Sequence, residues 1–479
     1  MSDDAVRSAY ALLERSVLTH RGRPVGTMAA VDCRDDTPEN YHDCFVRDFV
    51  PSALVFLADG KPEIVRNFLH TLLDLRCQHQ RIHGHQLERA VLPASFRIIT
   101  DADGKEAMRA DFGDHAIGRV APVDAMMWWV ILLGIYCRQT DDRAFADQPE
   151  VQQALHGILE LTLREGFEVF PTLLVPDGSF MIDRRMAVYG HPLEIQCLFY
   201  GMLVSAVDLL RDTAEVREIS QLANQRAKML RNYLQMFYWL DLERLNEIHR
   251  YGTEEFGAGS ANMLNIYPQS MPAWLIDWLP TGAGYLVGNL GPGRMDFRYF
   301  ALGNLLAILF GIVSPQQVQA IMCLNQERWD DLIGTMPAKL VYPAVTGEQW
   351  ALITGSDPKN RPWCYHNGGN WPMLLWPFVA ATLRAGHRDL AERAVEIADR
   401  SLPQASWPEY YDGRRGNLVG GRARLNQVWS ATGYLLARKL IEDDRLLDLA
   451  GGLEPRQAED ATDDQHTDLA TQRTDAKRS

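Results

Sequence analysis

Two short segments each set a carboxylate among aromatic or apolar neighbours. They are Met181-Ile182-Asp183-Arg184-Arg185-Met186 and Trp407-Pro408-Glu409-Tyr410-Tyr411-Asp412-Gly413. One protonated and one ionised carboxyl group are what hydrolysis of a glycosidic bond needs. A general acid requires a raised pKa, which burial against Met181 and Ile182 would supply to Asp183. Arg184 and Arg185 would cancel that shift if both faced the carboxyl, so at least one must point elsewhere. Glu409 has the opposite requirement: a general base stays ionised and holds a water. An Asp–Arg structural pair and a surface-loop Glu are the plainer readings of the same segments, and local sequence does not separate them.

Other segments carry side chains suited to sugar hydroxyls or sugar faces. Arg47 and Asp48 lie in the charged and aromatic stretch from Asn40 to Phe49, where they either meet a substrate or pair with each other. Asp124 precedes Trp128 and Trp129, one of which could stack on a sugar ring while the other fills the core. His366 and Trp371 belong to a polar-aromatic turn that also holds Trp363, Asn367, Gly368, Gly369 and Asn370. Arg294, Asp296 and Arg298 alternate, and either line a pocket or lock the long loop before them. Gln427, beside Trp429, is of the same kind.

Several function classes are excluded. No G-x-x-x-x-G-K-[ST] is present, and the glycines between Gly282 and Gly293 do not form a dinucleotide fingerprint. His83 and His85 lack the H-E-x-x-H context of a zinc hydrolase. The seven cysteines are never spaced as C-x-x-C, which fits buried thiols in a reducing compartment. No metal and no cofactor are therefore expected. A net charge of -14 with no basic-aromatic stripe argues against nucleic acid. The longest apolar run, from Ala125 to Cys137, falls short of the roughly 18 residues of a membrane span, and the N-terminus has no secretory signal. The chain reads as cytoplasmic.

The elements that must position these residues are mostly helical. Apolar residues recur at three- and four-residue intervals over 5–19, 50–57, 62–76, 123–138, 151–164, 192–211, 216–239, 298–313, 315–331, 371–385, 388–401 and 423–442. Strand alternation is confined to 91–99 and 167–175, with a short hairpin expected near Asp177-Gly178. Long loops at 280–297 and 354–371 are of the kind that carries function. The predicted organisation is an N-terminal helix and loop (1–29), one catalytic domain (30–448) and a disordered polar tail (449–479). About a dozen helices at similar spacing suit an all-α toroid of helical hairpins, with short β-hairpins in its loops.

At these same segments the chain resembles the alkaline/neutral invertases, glycoside hydrolase family 100. The matching stretches include Phe45-Val-Arg-Asp-Phe-Val-Pro-Ser-Ala-Leu54, Ala116-Ile-Gly-Arg-Val-Ala-Pro-Val-Asp124, the Asp183 segment with Val188-Tyr-Gly190, and Thr253-Glu-Glu255. They continue in Arg294-Met-Asp-Phe-Arg298, Asp357-Pro-Lys-Asn360, Tyr365-His-Asn-Gly-Gly369 and the Glu409 segment. The resemblance spans about residues 40–440. It implies an (α/α)6 barrel that hydrolyses the α-1,2 bond of sucrose with inversion and without metal or cofactor. It implies Asp183 as general acid, Glu409 as general base, and a homo-oligomer. Arg47, Asp48, Asp124, Trp128, Arg184, Tyr189, Gln196, Asp296, His366, Trp371 and Gln427 are then the candidates for sugar recognition or its support. The chain departs from the family pattern at His42, Asp43, His191 and the segment Leu290 to Gly293, which bears on fine specificity. The open alternatives are a trehalase-like hydrolase with the same two carboxylates, an epimerase with a histidine pair, and a non-catalytic carbohydrate-binding scaffold.

Overall fold

Six helices that are apolar on nearly every face and six that carry one apolar stripe alternate along the chain. The computed structural model describes residues 2–31, 39–78, 80–82, 85–100, 103–114, 120–165, 168–250, 266–291 and 294–453. His83, the 116–119 and 253–255 parts of the quoted motifs, and nearly all of the polar tail lie outside the described residues. The barrel helices are α1 (Ser2–Ser16), α2 (Val46–Ala58), α3 (Pro62–Asp74), α4 (Asp124–Thr140), α5 (Pro149–Thr162), α6 (Leu193–Leu209), α7 (Ala214–Tyr233), α8 (Ala301–Leu309), α9 (Pro315–Glu327), α10 (Leu375–Arg384), α11 (Arg388–Ser401) and α12 (Val428–Glu442), with shorter helices in the loops between them.

The even-numbered helices close a ring: α2 packs on α4, α4 on α6, α6 on α8, α8 on α10, α10 on α12, and α12 back on α2. The odd-numbered helices form the outer layer, an (α/α)6 barrel. Helix type follows from pattern. In α4 every residue from Asp124 to Cys137 is buried, as an inner helix requires. In α11 the buried residues are Leu390, Ala391, Ala394, Val395 and Ala398, one stripe facing inward. Helix α1, set apart from the barrel in the sequence reading, packs against α12 as the first outer helix. Local signals fix the starts: α3, α5 and α9 open on Pro. Ser314 and Gln317 form a reciprocal capping box at α9.

Strand content exceeds the expected hairpins. Residues 284–300, read from sequence as loop and helix start, form two long strands, β3 (Gly284–Gly291) and β4 (Arg294–Phe300). With β1 (His191–Pro192), β2 (Trp239–Asp241) and β5 (Val341–Tyr342) they make an antiparallel sheet in the order β1-β3-β4-β5, β2 also pairing β3. Burial explains the misreading: Gly284 to Asn289 are buried on both faces, so no apolar–polar alternation marks the strand. Strand pairing is present near 91–99 and 167–175, as Ser95–Thr100 against Glu106–Asp111 and Glu168–Val169 against Thr172–Leu173. No hairpin forms at Asp177-Gly178. Instead the Asp177 carboxylate accepts the backbone N–H groups of Met186, Ala187 and Val188 at 3.1, 2.8 and 3.2 Å.

Candidate active site

Inner helices begin at one end of the barrel, and the chemistry gathers there. Asp48 lies in the first turn of α2, Asp124 opens α4, Glu194 lies in the first turn of α6, and Gln427 caps α12. Each N-terminus presents free N–H groups and a positive dipole end, which favours carboxylates and sugar oxygens. A pocket at this end is lined by Asn40, Tyr41, Phe45, Arg47, Asp48, Met181, Asp183, Tyr365, His366, Trp371, Glu409, Gln427 and Trp429. Of the sequence candidates it brings together Arg47, Asp48, Asp183, His366, Trp371, Glu409 and Gln427.

Asp183 sits on a loop pinned from both sides. Glu194 accepts the Met181 N–H at 3.2 Å, and Asp177 holds the backbone just beyond. Burial pushes the Asp183 carboxyl up to about 6, against the pull of Arg47, Lys359 and Arg184. Arg47 stands 3.9 Å away and also bonds Asp124. His366 Nδ1 lies 3.6 Å from Asp183 Oδ1. Burial, with Lys359, Arg47 and Arg184 adding, holds this imidazole well below its usual range, so it is neutral. Burial likewise raises Asp48 to about 7 and Glu194 to about 8. Arg184 points elsewhere: it grips Asp357 through two hydrogen bonds of 2.6 and 2.9 Å.

Glu409 is 3% exposed, and among the described residues its carboxylate meets a phenol, a backbone N–H and an ammonium. Tyr41 Oη donates to Oε1 at 2.8 Å, the Arg424 N–H to Oε2 at 3.3 Å, and Lys359 Nζ stands 3.7 Å from Oε2. The loop carrying it is strained and over-determined. Ser406, Trp407 and Asn426 adopt positive φ, at a cost of about 1 kcal/mol or more each. Hydrogen bonds from Asn426 N to Ser406 O, Gln427 N to Trp407 O and Glu409 N to Arg424 O, all 2.7–2.8 Å, hold that geometry. Gly420 lies flat on Tyr410, where a Cβ would come within 2.1 Å of the ring.

The remaining candidates stand elsewhere. Asp124 lies behind Arg47. Trp128 is in the apolar interior with Leu54, Ile131 and Trp376. Trp129 is also core, its indole bonded to Leu69 O. Tyr189 is 52% exposed and outside the pocket wall. The Gln196 amide is used up on the Leu173 backbone. Asp296 pairs with Arg298 and lines a different groove with Trp274 and Phe297. Asn367 and Asn370 bond loop backbone. Of the departures from the family pattern, His42 is exposed, Asp43 pairs with Arg97, and His191 is buried in the sheet. Sequence reasoning missed Tyr41 and Lys359 as site residues. Both lie inside quoted segments, but nothing local marks either as a partner of Glu409.

A sequence profile of the alkaline and neutral invertases matches residues 9–444. The chain belongs to the alkaline and neutral invertase family. It is 48% identical over 439 residues to Cytosolic invertase 1 of Oryza sativa subsp. japonica, covering 91% of this chain and 78% of the relative. It is 46% identical to Alkaline/neutral invertase C, mitochondrial, of Arabidopsis thaliana, covering 91% and 67%. Among solved structures, a bacterial glucoamylase complexed with acarbose superposes with a TM-score of 0.54 at 12% identity, covering 93% of this chain and 57% of that one. A GH63 mannosylglycerate hydrolase from Thermus thermophilus gives 0.54 at 13% identity, covering 90% and 99%. Those two likenesses concern the fold. The invertase-family chain is thus a glycoside hydrolase on an (α/α)6 barrel. Among its described residues, no helix is long and apolar enough to cross a membrane, and no three His, Cys, Asp or Glu gather as a metal-holding group.

Proposed function

We propose that this invertase-family protein hydrolyses the α-1,2 bond of sucrose with inversion, by a cofactor-free acid/base mechanism. Asp183 protonates the glycosidic oxygen. Glu409 takes a proton from a water that attacks the anomeric carbon of glucose from the opposite face. One observation carries this reading: two carboxyl groups, Asp183 and Glu409, line one pocket. Asp183 is pushed up to about 6 by burial, while the Glu409 oxygens meet a phenol, a backbone N–H and an ammonium. Arg47, Asp48, His366, Trp371 and Gln427 are assigned to the sugar wall. His366 is the one histidine among the described lining residues, so the histidine pair of an epimerase has no support. The reading includes a cytoplasmic location, supported by the rice relative's name, and a homo-oligomer, which light scattering tests.

The decisive experiment is proton NMR of sucrose with fresh enzyme, following the first glucose released. Initial β-glucose is expected. Initial α-glucose would remove Glu409 from the water-activating role. No hydrolysis of sucrose, with turnover of another disaccharide, would move the substrate assignment.

A further inference from the structure

Lys359 stands beside Glu409 and within electrostatic reach of Asp183, and the acid/base reading gives it no role. Its ammonium stands 3.7 Å from Glu409 Oε2, donates to Tyr41 Oη at 3.2 Å, and sits 3.8 Å above the Tyr365 ring. It is held there by a rigid turn. Lys359 N–H donates to Asp357 Oδ1 at 3.0 Å, and Asn360 O accepts the Trp350 indole at 2.6 Å. Asp357 is also the anchor of Arg184. The turn is therefore tied to the Asp183 loop as well as to Glu409.

We propose that Lys359 is a positioning residue whose single charge poises both carboxyl groups, so that the two limbs of the pH profile are set together. This rests on Asp183 acting as acid and Glu409 as base. The groups around Lys359 leave it that part. Glu409 and Arg424 face it from the loop before α12, Asp183 and Arg184 from the loop before α6, Tyr41 from the segment before α2, and Tyr365 and His366 from the loop before α10. Arg184 is paired with Asp357 and His366 is uncharged; Arg47, paired with Asp124 and 3.9 Å from Asp183, acts on that carboxyl more strongly than Lys359 does, while Lys359 is the cation that also stands beside Glu409. Arg424 offers Glu409 its backbone N–H, while its guanidinium lies over the Tyr41 ring at 5.7 Å. Burial lowers the Lys359 pKa, and the two carboxyl groups oppose that effect, favouring the charged form. The same charge favours ionised Glu409 and ionised Asp183, so its removal disfavours both. Tyr41 adds a directional element, donating to Glu409 Oε1 at 2.8 Å.

The test is the pH dependence of kcat/KM for sucrose with Lys359→Met, Lys359→Arg and Tyr41→Phe. In Lys359→Met both limbs are expected to move to higher pH by about one unit or more, and Lys359→Arg is expected to restore their position. In Tyr41→Phe the acid limb is expected to move more than the alkaline limb. A Lys359→Met profile lowered in height but unmoved, or limbs moving in opposite directions, overturns the proposal. Should Lys359→Met not fold, as judged by circular dichroism, Lys359→Gln decides, and unmoved limbs in that variant overturn the proposal. Asp183→Asn and Glu409→Gln run alongside. Wild-type turnover in either defeats the acid/base reading itself, whereas inactive controls with an unmoved Lys359→Met profile defeat only the role of Lys359.

Discussion

Replacing Asp357 with Asn releases Arg184. In the native site that guanidinium is clamped by two hydrogen bonds of 2.6 and 2.9 Å, both to a carboxylate that is largely buried. A neutral amide cannot hold it with the same strength, and the nearest other carboxyl group along its own chain is Asp183. Two unit charges at about 4 Å attract by about 4 kcal/mol at an effective dielectric of about 20. Arg184 already contributes part of this where it stands, and solvent at the pocket mouth screens more. A further lowering of about one pH unit, or about 1.4 kcal/mol, is the reasonable net effect. The Asp183 carboxyl, at about 6 in the native pocket, would then give up its proton about one unit lower. The assay is kcat/KM across pH, which reports the free enzyme. The alkaline limb should move down by about one unit. At any pH above both limbs the protonated fraction, and with it kcat/KM, should fall about tenfold. Below both limbs the variant should match the wild type. A loss of equal size at every pH would mean that the ion pair only folds the loop, and would refute the argument.

Three further outcomes are expected. Gly420→Ala forces a methyl group into the Tyr410 ring, so it should displace the Glu409 loop and cost about 1–3 kcal/mol of stability together with most turnover. A fully active, equally stable variant would show that the ring can yield. Trp128→Phe should lower the melting temperature and leave KM unchanged, because the indole packs inside the barrel; a raised KM at unchanged stability would return the ring to the pocket. Lys339 is buried, bonds Asn370 and the Gly413 carbonyl, and is pushed down to about 8 by burial. Its unfolded-state value is the ordinary 10.5, so unfolding takes up a proton between about 8 and 10.5. The cost of burying the charge is present below that window and is lost as pH rises through it. Denaturant titrations should therefore find wild type gaining stability over Lys339→Met as pH rises across the window; a constant difference would deny that Lys339 titrates there.

The helical plan was legible because inner and outer helices differ in composition. Residues 124–137 are apolar almost without interruption, which suits a helix buried on all sides, while 388–401 repeats at helical spacing. Asp183 and Glu409 were legible as carboxylates in apolar or aromatic settings, and so was the expectation that at least one arginine beside Asp183 turns away. Sequence alone could not supply the partner it turns to. Arg184 meets Asp357 from 173 positions away, and Glu409 meets Tyr41 from 368 positions away. The strand at 284–291 escaped because burial on both faces erases the period of two, whereas 294–300 keeps its polar–apolar alternation and was read as a pocket lining or a loop lock. Gln196, Asp296 and Trp128 escaped because a polar or aromatic side chain serves a backbone, an ion pair or a core as readily as a substrate. Local sequence sets what each residue can do. Only closure of the helix ring decides which helix starts and loops converge on one pocket, and so which side chains meet there.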